Sequence, residues 1–228
     1  MNFNELEKII GLKFKNADLL KEALTHRSYL NENSSWGAAH NERMEYLGDA
    51  VLELAVSEEL YKKFPQFPEG QLTVLRAALV NYQLLAQVAT EIDLHKFILM
   101  SRGERADASK AREVILANAM ESLIGAIYLD QGFAAAKQFS DNFVLPHLPE
   151  ILKTKSYKDS KSELQEIIQE KLKLTPTYRV LEEEGPAHRR IFKIGVYFGE
   201  KFIAEGSGAS KQEGETEAAR EALEKFKN

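Results

Sequence analysis

Glu42, Glu45 and Asp49 stand three and four residues apart in the run Asn41-Glu42-Arg43-Met44-Glu45-Tyr46-Leu47-Gly48-Asp49-Ala50-Val51-Leu52-Glu53. At roughly 100° per helical residue, these three side chains fall within about 60° of one another, and Met44, Leu47, Val51 and Leu54 take the opposite side. The plain reading of such a stripe is a solvated outer face. The stripe runs on into Leu52 and Val56, however, which fits a face that enters packed protein. A second segment, 114–129, is apolar on nearly every side, as a buried helix is. Its one carboxylate, Glu121, must be protonated, paired with a base or bound to a cation, because an uncompensated buried charge is costly. Asn118, three residues earlier on the same face, offers a neutral oxygen. Glu45, Asp49, Asn118 and Glu121 facing one another form an all-oxygen site suited to Mg²⁺ or Mn²⁺. A di-iron bundle needs Glu-x-x-His, and neither segment supplies the histidine.

Positioning these residues takes at least two long helices, and the first 145 residues read as helix after helix. Leu6, Ile9 and Ile10, then Leu19, Leu20, Ala23 and Leu24, carry the helical period, and no convincing strand appears. Connections fall at 31–37, 64–70 and 130–132, where Asn, Ser, Pro and Gly gather. Pro146-His147-Leu148-Pro149 breaks the pattern, and the polar, basic stretch 153–159 reads as linker. Beyond it the rhythm changes. A helix capped by Asp159 or Ser160 runs to about Leu172, three short strands cover 177–182, 190–198 and 201–206, and a last helix spans about Lys211 to Phe226. The chain is thus multidomain: an all-α domain over 1–148, a linker over 149–158, and a small α+β domain of order α-β-β-β-α over 159–228.

Composition narrows the function. The 228 residues are 44% hydrophobic and 29% charged, which describes a globular protein. No apolar run approaches the roughly 20 residues that span a bilayer, and the N-terminus lacks a basic-then-apolar signal. A cytoplasmic location with no membrane partner is expected. With no cysteine, disulfides and thiolate metal sites are excluded. The net charge of −5 runs against nucleic-acid binding, but it is unevenly shared. Residues 1–150 carry 15 basic and 21 acidic side chains and residues 151–228 carry 15 and 14, so the second part has about twice the density of Lys and Arg.

The second domain resembles a double-stranded RNA-binding domain. Lys161-Ser162-Glu163-Leu164-Gln165-Glu166 is similar to that family's first-helix motif, Gly185-Pro186-Ala187-His188 to its first hairpin loop, and Gly206-Ser207-Gly208-Ala209-Ser210-Lys211 to the start of its last helix. The resemblance implies RNA contacts from Lys161, Ser162, Gln165, Glu166, His188, Ser210 and Lys211, reading duplex shape across successive minor grooves. For His188 an ordinary exposed loop histidine is the alternative. Backbone amides and Lys211 at a helix N-terminus suit a phosphate. The pattern departs after Lys211, where Gln212, Glu213, Gly214, Glu215 and Glu217 stand in place of a second lysine and an alanine-rich start; carboxylates facing RNA weaken binding, a solvent-facing placement is the alternative, and a functional but salt-sensitive module is expected.

The run from Asn41 to Glu53, together with Ala23-Leu24-Thr25-His26-Arg27-Ser28-Tyr29, Glu69-Gly70, Leu75-Arg76-Ala77 and the stretch from Ile115 to Gly132, resembles bacterial ribonuclease III, and the resemblance covers almost the whole chain. It implies a homodimer that cuts both strands of double-stranded RNA, one strand per centre. It further implies products with 5′-phosphate, 3′-hydroxyl and short 3′ overhangs, and structured ribosomal or messenger RNA precursors as expected substrates. Glu45, Asp49 and Glu121 match the family's metal ligands, with Asp49 and Glu121 central to catalysis. Glu42 and Glu69 match accessory acids, Glu69 serving the partner's half; a solvated residue before a turn glycine is the alternative for Glu69. Tyr46 matches an aromatic knob at the dimer interface, with a plain core tyrosine as the alternative. His26 takes a structural role. Mg²⁺, for which Mn²⁺ substitutes, activates the attacking water, and no other cofactor is implied. Asn118 departs from the family's usual aspartate, so weaker metal affinity is expected, and a catalytically weak or silent RNA-binding protein is the alternative reading.

Overall fold

The structure is a computed structural model describing residues 3–106, 110–154, 160–186 and 190–227. The chain divides into two compact units, 1–157 and 158–228.

The first unit is helical: α1 (Asn4–Ile10), α2 (Ala17–Ala23), α3 (Arg27–Glu32), α4 (Glu42–Lys63), α5 (Glu69–Val80), α6 (Tyr82–Glu91), α7 (Arg102–Ala106), α8 (Lys110–Gln131), α9 (Phe133–Phe143) and α10 (Leu148–Thr154). Helix α8 is the axis of the core. Ala117, Ala119, Met120, Leu123, Ile124, Ala126 and Ile127 are all within 1% of full burial, so it is apolar all round, as its sequence predicts. Its most extensive partner is α4, with α6, α9 and α2 also packed against it. Where the chain passes from α2 to α3 it pairs with the segment before α7: His26 N–H donates to the Leu99 carbonyl at 2.9 Å, and Leu99 N–H to Leu24 at 2.8 Å. The His26 ring accepts from the Ser28 amide at the start of α3, a structural role.

Two expectations need correction. Leu54, placed on the apolar side of its helix, is 58% exposed, although Met44, Val51, Leu52 and Val56 are buried. It lies on the margin of the packed arc, where no neighbouring helix covers it. The linker begins later than residue 149, because Leu148–Thr154 form α10. Pro149 sits in that helix's first turn, where a missing N–H costs nothing, and Leu148 and Ile151 join the core.

The second unit has the order α11 (Ser160–Leu172), β1 (Pro176–Glu184), β2 (Ile191–Phe198), β3 (Lys201–Gly208) and α12 (Lys211–Lys227). The strands form an antiparallel sheet β1-β2-β3. Its core joins Leu164 and Ile168 of α11 to Val196, Phe198 and Ala204 of the sheet and to Ala218, Ala219, Ala222 and Leu223 of α12. Both helices therefore cover one sheet face. Among the described residues no single helix is long and apolar enough to cross a membrane.

Candidate active site

Two glycines decide how closely α4 and α8 approach. A Cβ on Gly48 would lie 1.8 Å from the Glu121 carbonyl oxygen, and one on Gly125 would lie 2.4 Å from the Met44 carbonyl oxygen. The two helices thus cross backbone to backbone beside Glu45, Asp49, Asn118 and Glu121. These four are the acids and amide that the sequence pattern groups together. Gly48 and Gly125 are absent from that grouping, yet a signal exists: glycine inside a helix is destabilising and calls for a packing reason.

At the crossing, charges of one sign meet in a partly buried place. The Asn118 amide donates to the Glu45 carboxylate, linking α8 to α4 and drawing its pKa down; burial and the charges of Glu42 and Asp49 outweigh this, and Glu45 is raised above its usual range. Glu121 is pushed up to about 8, first by burial and then by Asp49 and Glu45, and among the described residues no cation or hydrogen-bond donor opposes the shift. Among the described residues no three acidic or histidine side chains close into a preformed metal cage. The cluster is a set of repelling carboxylates in electrostatic contact. Such a set is relieved by taking up a proton or a cation, and an all-oxygen donor group with a half-buried carboxylate fits a hard divalent ion.

The accessory acids are both exposed at helix starts. Glu42 is exposed at the start of α4, paired with Arg27 at 3.3 Å and 3.7 Å from His40 Nδ1. Glu69 opens α5, is exposed, and accepts from Thr73 Oγ1 at 2.9 Å. Tyr46 is 82% exposed, so it is not a core tyrosine. Tyr46, Leu54 and Tyr61 share one side of α4 and are exposed by 82%, 58% and 74%, an apolar stripe that the unit itself leaves uncovered.

In the second unit, α11 exposes Ser162, Gln165 and Glu166. Lys161 Nζ pairs with Glu215 at 2.6 Å and lies over the Tyr178 ring. Lys211 opens α12, pairs with Glu183 at 3.4 Å and lies over Phe192. His188 lies outside the described residues. The carboxylates after Lys211 have internal roles. Glu213 accepts from the Ala209 amide at 2.8 Å while its own amide donates to Ser210 Oγ at 3.2 Å, a reciprocal cap of the helix start. Glu215 holds Lys161, and Glu217 pairs with Arg220 at 2.8 Å. Gly214 is required because a Cβ there would meet Ile194 at 2.6 Å.

Residues 16–148 match the family described as ribonuclease-III-like, and residues 160–226 match the double-stranded RNA binding motif. "Ribonuclease 3" of Carboxydothermus hydrogenoformans is 46% identical over all of this chain and 97% of its own length. The chain belongs to the ribonuclease III family. "Ribonuclease 3" of Dehalococcoides mccartyi is 42% identical over the full chain and 96% of its own length. The nuclease domain of ribonuclease III from Campylobacter jejuni superposes with a TM-score of 0.59 at 42% identity, covering 65% of this chain and 99% of that domain. The fold and family expected from the sequence, a helical ribonuclease III domain followed by an α-β-β-β-α double-stranded RNA-binding domain, are borne out.

Proposed function

We propose that this ribonuclease III is a working, divalent-cation-dependent enzyme that cuts both strands of double-stranded RNA as a homodimer. It leaves 5′-phosphate and 3′-hydroxyl ends with short 3′ overhangs, and its substrates are structured precursors such as ribosomal RNA. The observation that carries this reading is Glu121, a half-buried carboxylate beside Glu45 and Asp49 with its pKa raised to about 8. Glu45, Asp49, Asn118 and Glu121 would hold the ion, Mg²⁺ or Mn²⁺, which would supply the Lewis acidity for water activation and for the leaving oxygen. Glu42 and Glu69 assist at the rim. Lys161, Ser162, Gln165, Glu166, Ser210 and Lys211, with His188, grip the duplex by shape and phosphate charge.

The dimer is supported by the stripe of Tyr46, Leu54 and Tyr61, since a monomer gains nothing by exposing large apolar side chains along one helix face. The Campylobacter jejuni nuclease domain is itself described as having structural flexibility in a region involved in dimer formation.

The test is incubation of the purified chain with a long RNA duplex in Mg²⁺ or Mn²⁺, beside Glu121→Gln and Asn118→Asp. Cleavage by the parent, lost with chelator and lost in Glu121→Gln, supports the reading. Binding without cleavage by the parent, together with cleavage by Asn118→Asp, refutes it for this chain.

A further inference from the structure

Of the fully buried polar side chains among the described residues, Thr25, Asn41, Ser122 and Ser140, the first three form one hydrogen-bonded chain that ends at the acidic cluster. Trp36 Nε1 donates to Thr25 Oγ1 at 3.1 Å, and Thr25 Oγ1 donates to the Lys21 carbonyl at 2.7 Å. The Thr25 carbonyl accepts from the Asn41 amide at 2.9 Å. The Asn41 carbonyl accepts from the Glu45 amide at 2.9 Å and takes the longer arm, at 3.3 Å, of a bifurcated bond from Ser122 Oγ, whose single hydrogen also reaches the Asn118 carbonyl at 2.7 Å. One oxygen atom therefore joins the backbone of Glu45 on α4 to the residue that follows Glu121 on α8.

Asn41 behaves unlike an ordinary asparagine at a helix start. Its side chain makes no capping bond to α4, the role for which Asn is favoured at that position. Nδ2 instead donates to the Ala23 carbonyl at 3.2 Å, tying the helix start to the end of α2. At 2% exposure it is enclosed, so its orientation is set by these partners and not by water.

We propose that Asn41 and Ser122 form a polar latch that sets the register of α4 against α8, and that they are positioning residues for the ion held by Glu45, Asp49, Asn118 and Glu121. The glycine crossing at Gly48 and Gly125 fixes how near the helices come. Side chains packed along α4 and α8 resist sliding, and a hydrogen bond to one carbonyl oxygen adds a directional tie where the two backbones meet. A slide of one ångström is enough to spoil shared coordination, because oxygen ligands of Mg²⁺ tolerate little error in distance. The latch rests on the metal reading of the cluster.

The test is Mn²⁺ titration of the full chain by calorimetry, with thermal unfolding of the metal-free protein as a second readout. Ser140→Ala is the control: Ser140 is equally buried and donates to the Ala136 carbonyl at 3.0 Å, on a helix that carries none of the cluster. Ser122→Ala should weaken Mn²⁺ binding about tenfold, as loss of outer partners of a metal site does. Its melting temperature should fall no further than that of Ser140→Ala, which keeps the parent's Mn²⁺ affinity. Asn41→Ala keeps its own carbonyl oxygen and removes only the Nδ2 tie to Ala23, so it should weaken binding by less than Ser122→Ala. Parent-like Mn²⁺ affinity in Ser122→Ala overturns the latch, as does equal weakening in Ser122→Ala and Ser140→Ala. If Glu121→Gln binds Mn²⁺ as the parent does, the metal site itself fails and takes the latch with it.

Discussion

At the scale of single residues, Glu121 is the group whose protonation reports on the site. Its folded-state pKa is raised to about 8 from an ordinary 4.5. The metal-free folded chain therefore keeps a proton that the unfolded chain has lost at intermediate pH. Stability from this group is fully present below about pH 4.5 and is lost as pH rises towards 8. After allowance for partial solvent screening, the loss is about 1–2 kcal/mol. Glu121→Gln should remove this pH dependence and raise the melting temperature of the metal-free protein at pH 8. Mg²⁺ should stabilise the parent at that pH but leave Glu121→Gln unmoved, and differential scanning calorimetry with and without chelator checks both. Because the ion displaces the proton, apparent metal affinity should fall as pH drops below about 8. Asn118 belongs to the same balance. Its amide holds Glu45, and an aspartate there adds repulsion to the empty cluster and attraction to a cation. Asn118→Asp should therefore lower metal-free stability and tighten Mn²⁺ binding, with titration and melting moving in opposite directions.

At the scale of elements, the α4/α8 crossing and the start of α12 show glycine and carboxylate positions acting through geometry. Gly48→Ala would drive a methyl group to 1.8 Å from the Glu121 carbonyl oxygen. The helices must part, and the expected cost is about 3 kcal/mol, read as a lower melting temperature together with loss of RNA cleavage. Gly70→Ala meets nothing within 4 Å and should cause neither effect. In the second unit, Glu213→Ala removes the reciprocal cap of α12 and should cost about 1 kcal/mol. Circular dichroism melting of the full chain, followed in the transition of that unit, measures it. The acidic start of α12 departs from the pattern of a second lysine, yet its carboxylates cap the helix or hold Lys161 and Arg220.

At the scale of the whole molecule, two compact units divide the labour and the first exposes a surface suited to a second copy. Replacing Tyr46 and Leu54 together by lysine should convert the proposed dimer to monomer in sedimentation velocity. Both side chains are already exposed, so the fold of each subunit should be kept. RNA affinity should depend on salt through the second unit: Lys211→Ala should reduce the slope of log affinity against log salt by about 1, checked by binding titrations across salt concentrations.

Much of this was legible in the chain. Helical periodicity placed α4 and α8, strand-length apolar runs bounded by turn residues placed β1 to β3, and the solitary carboxylate of an apolar segment marked Glu121 as needing a partner. The helix and strand readings succeed because they depend on neighbours within a few turns of the chain. The exposure of Leu54 and Tyr61, the helical state of Leu148–Thr154 and the internal pairing of Glu213, Glu215 and Glu217 depend on which distant segment lies opposite, and periodicity carries no record of that. The same holds for the site. Residue types, helical spacing and the family resemblance nominated Glu45, Asp49, Asn118 and Glu121, because oxygen donors in an apolar setting have few uses. Tertiary structure decided that Gly48 and Gly125 let the two helices touch and that one carbonyl oxygen of Asn41 ties them in register. Those contacts join residues about eighty positions apart, where the deciding quantity is the space between two backbones.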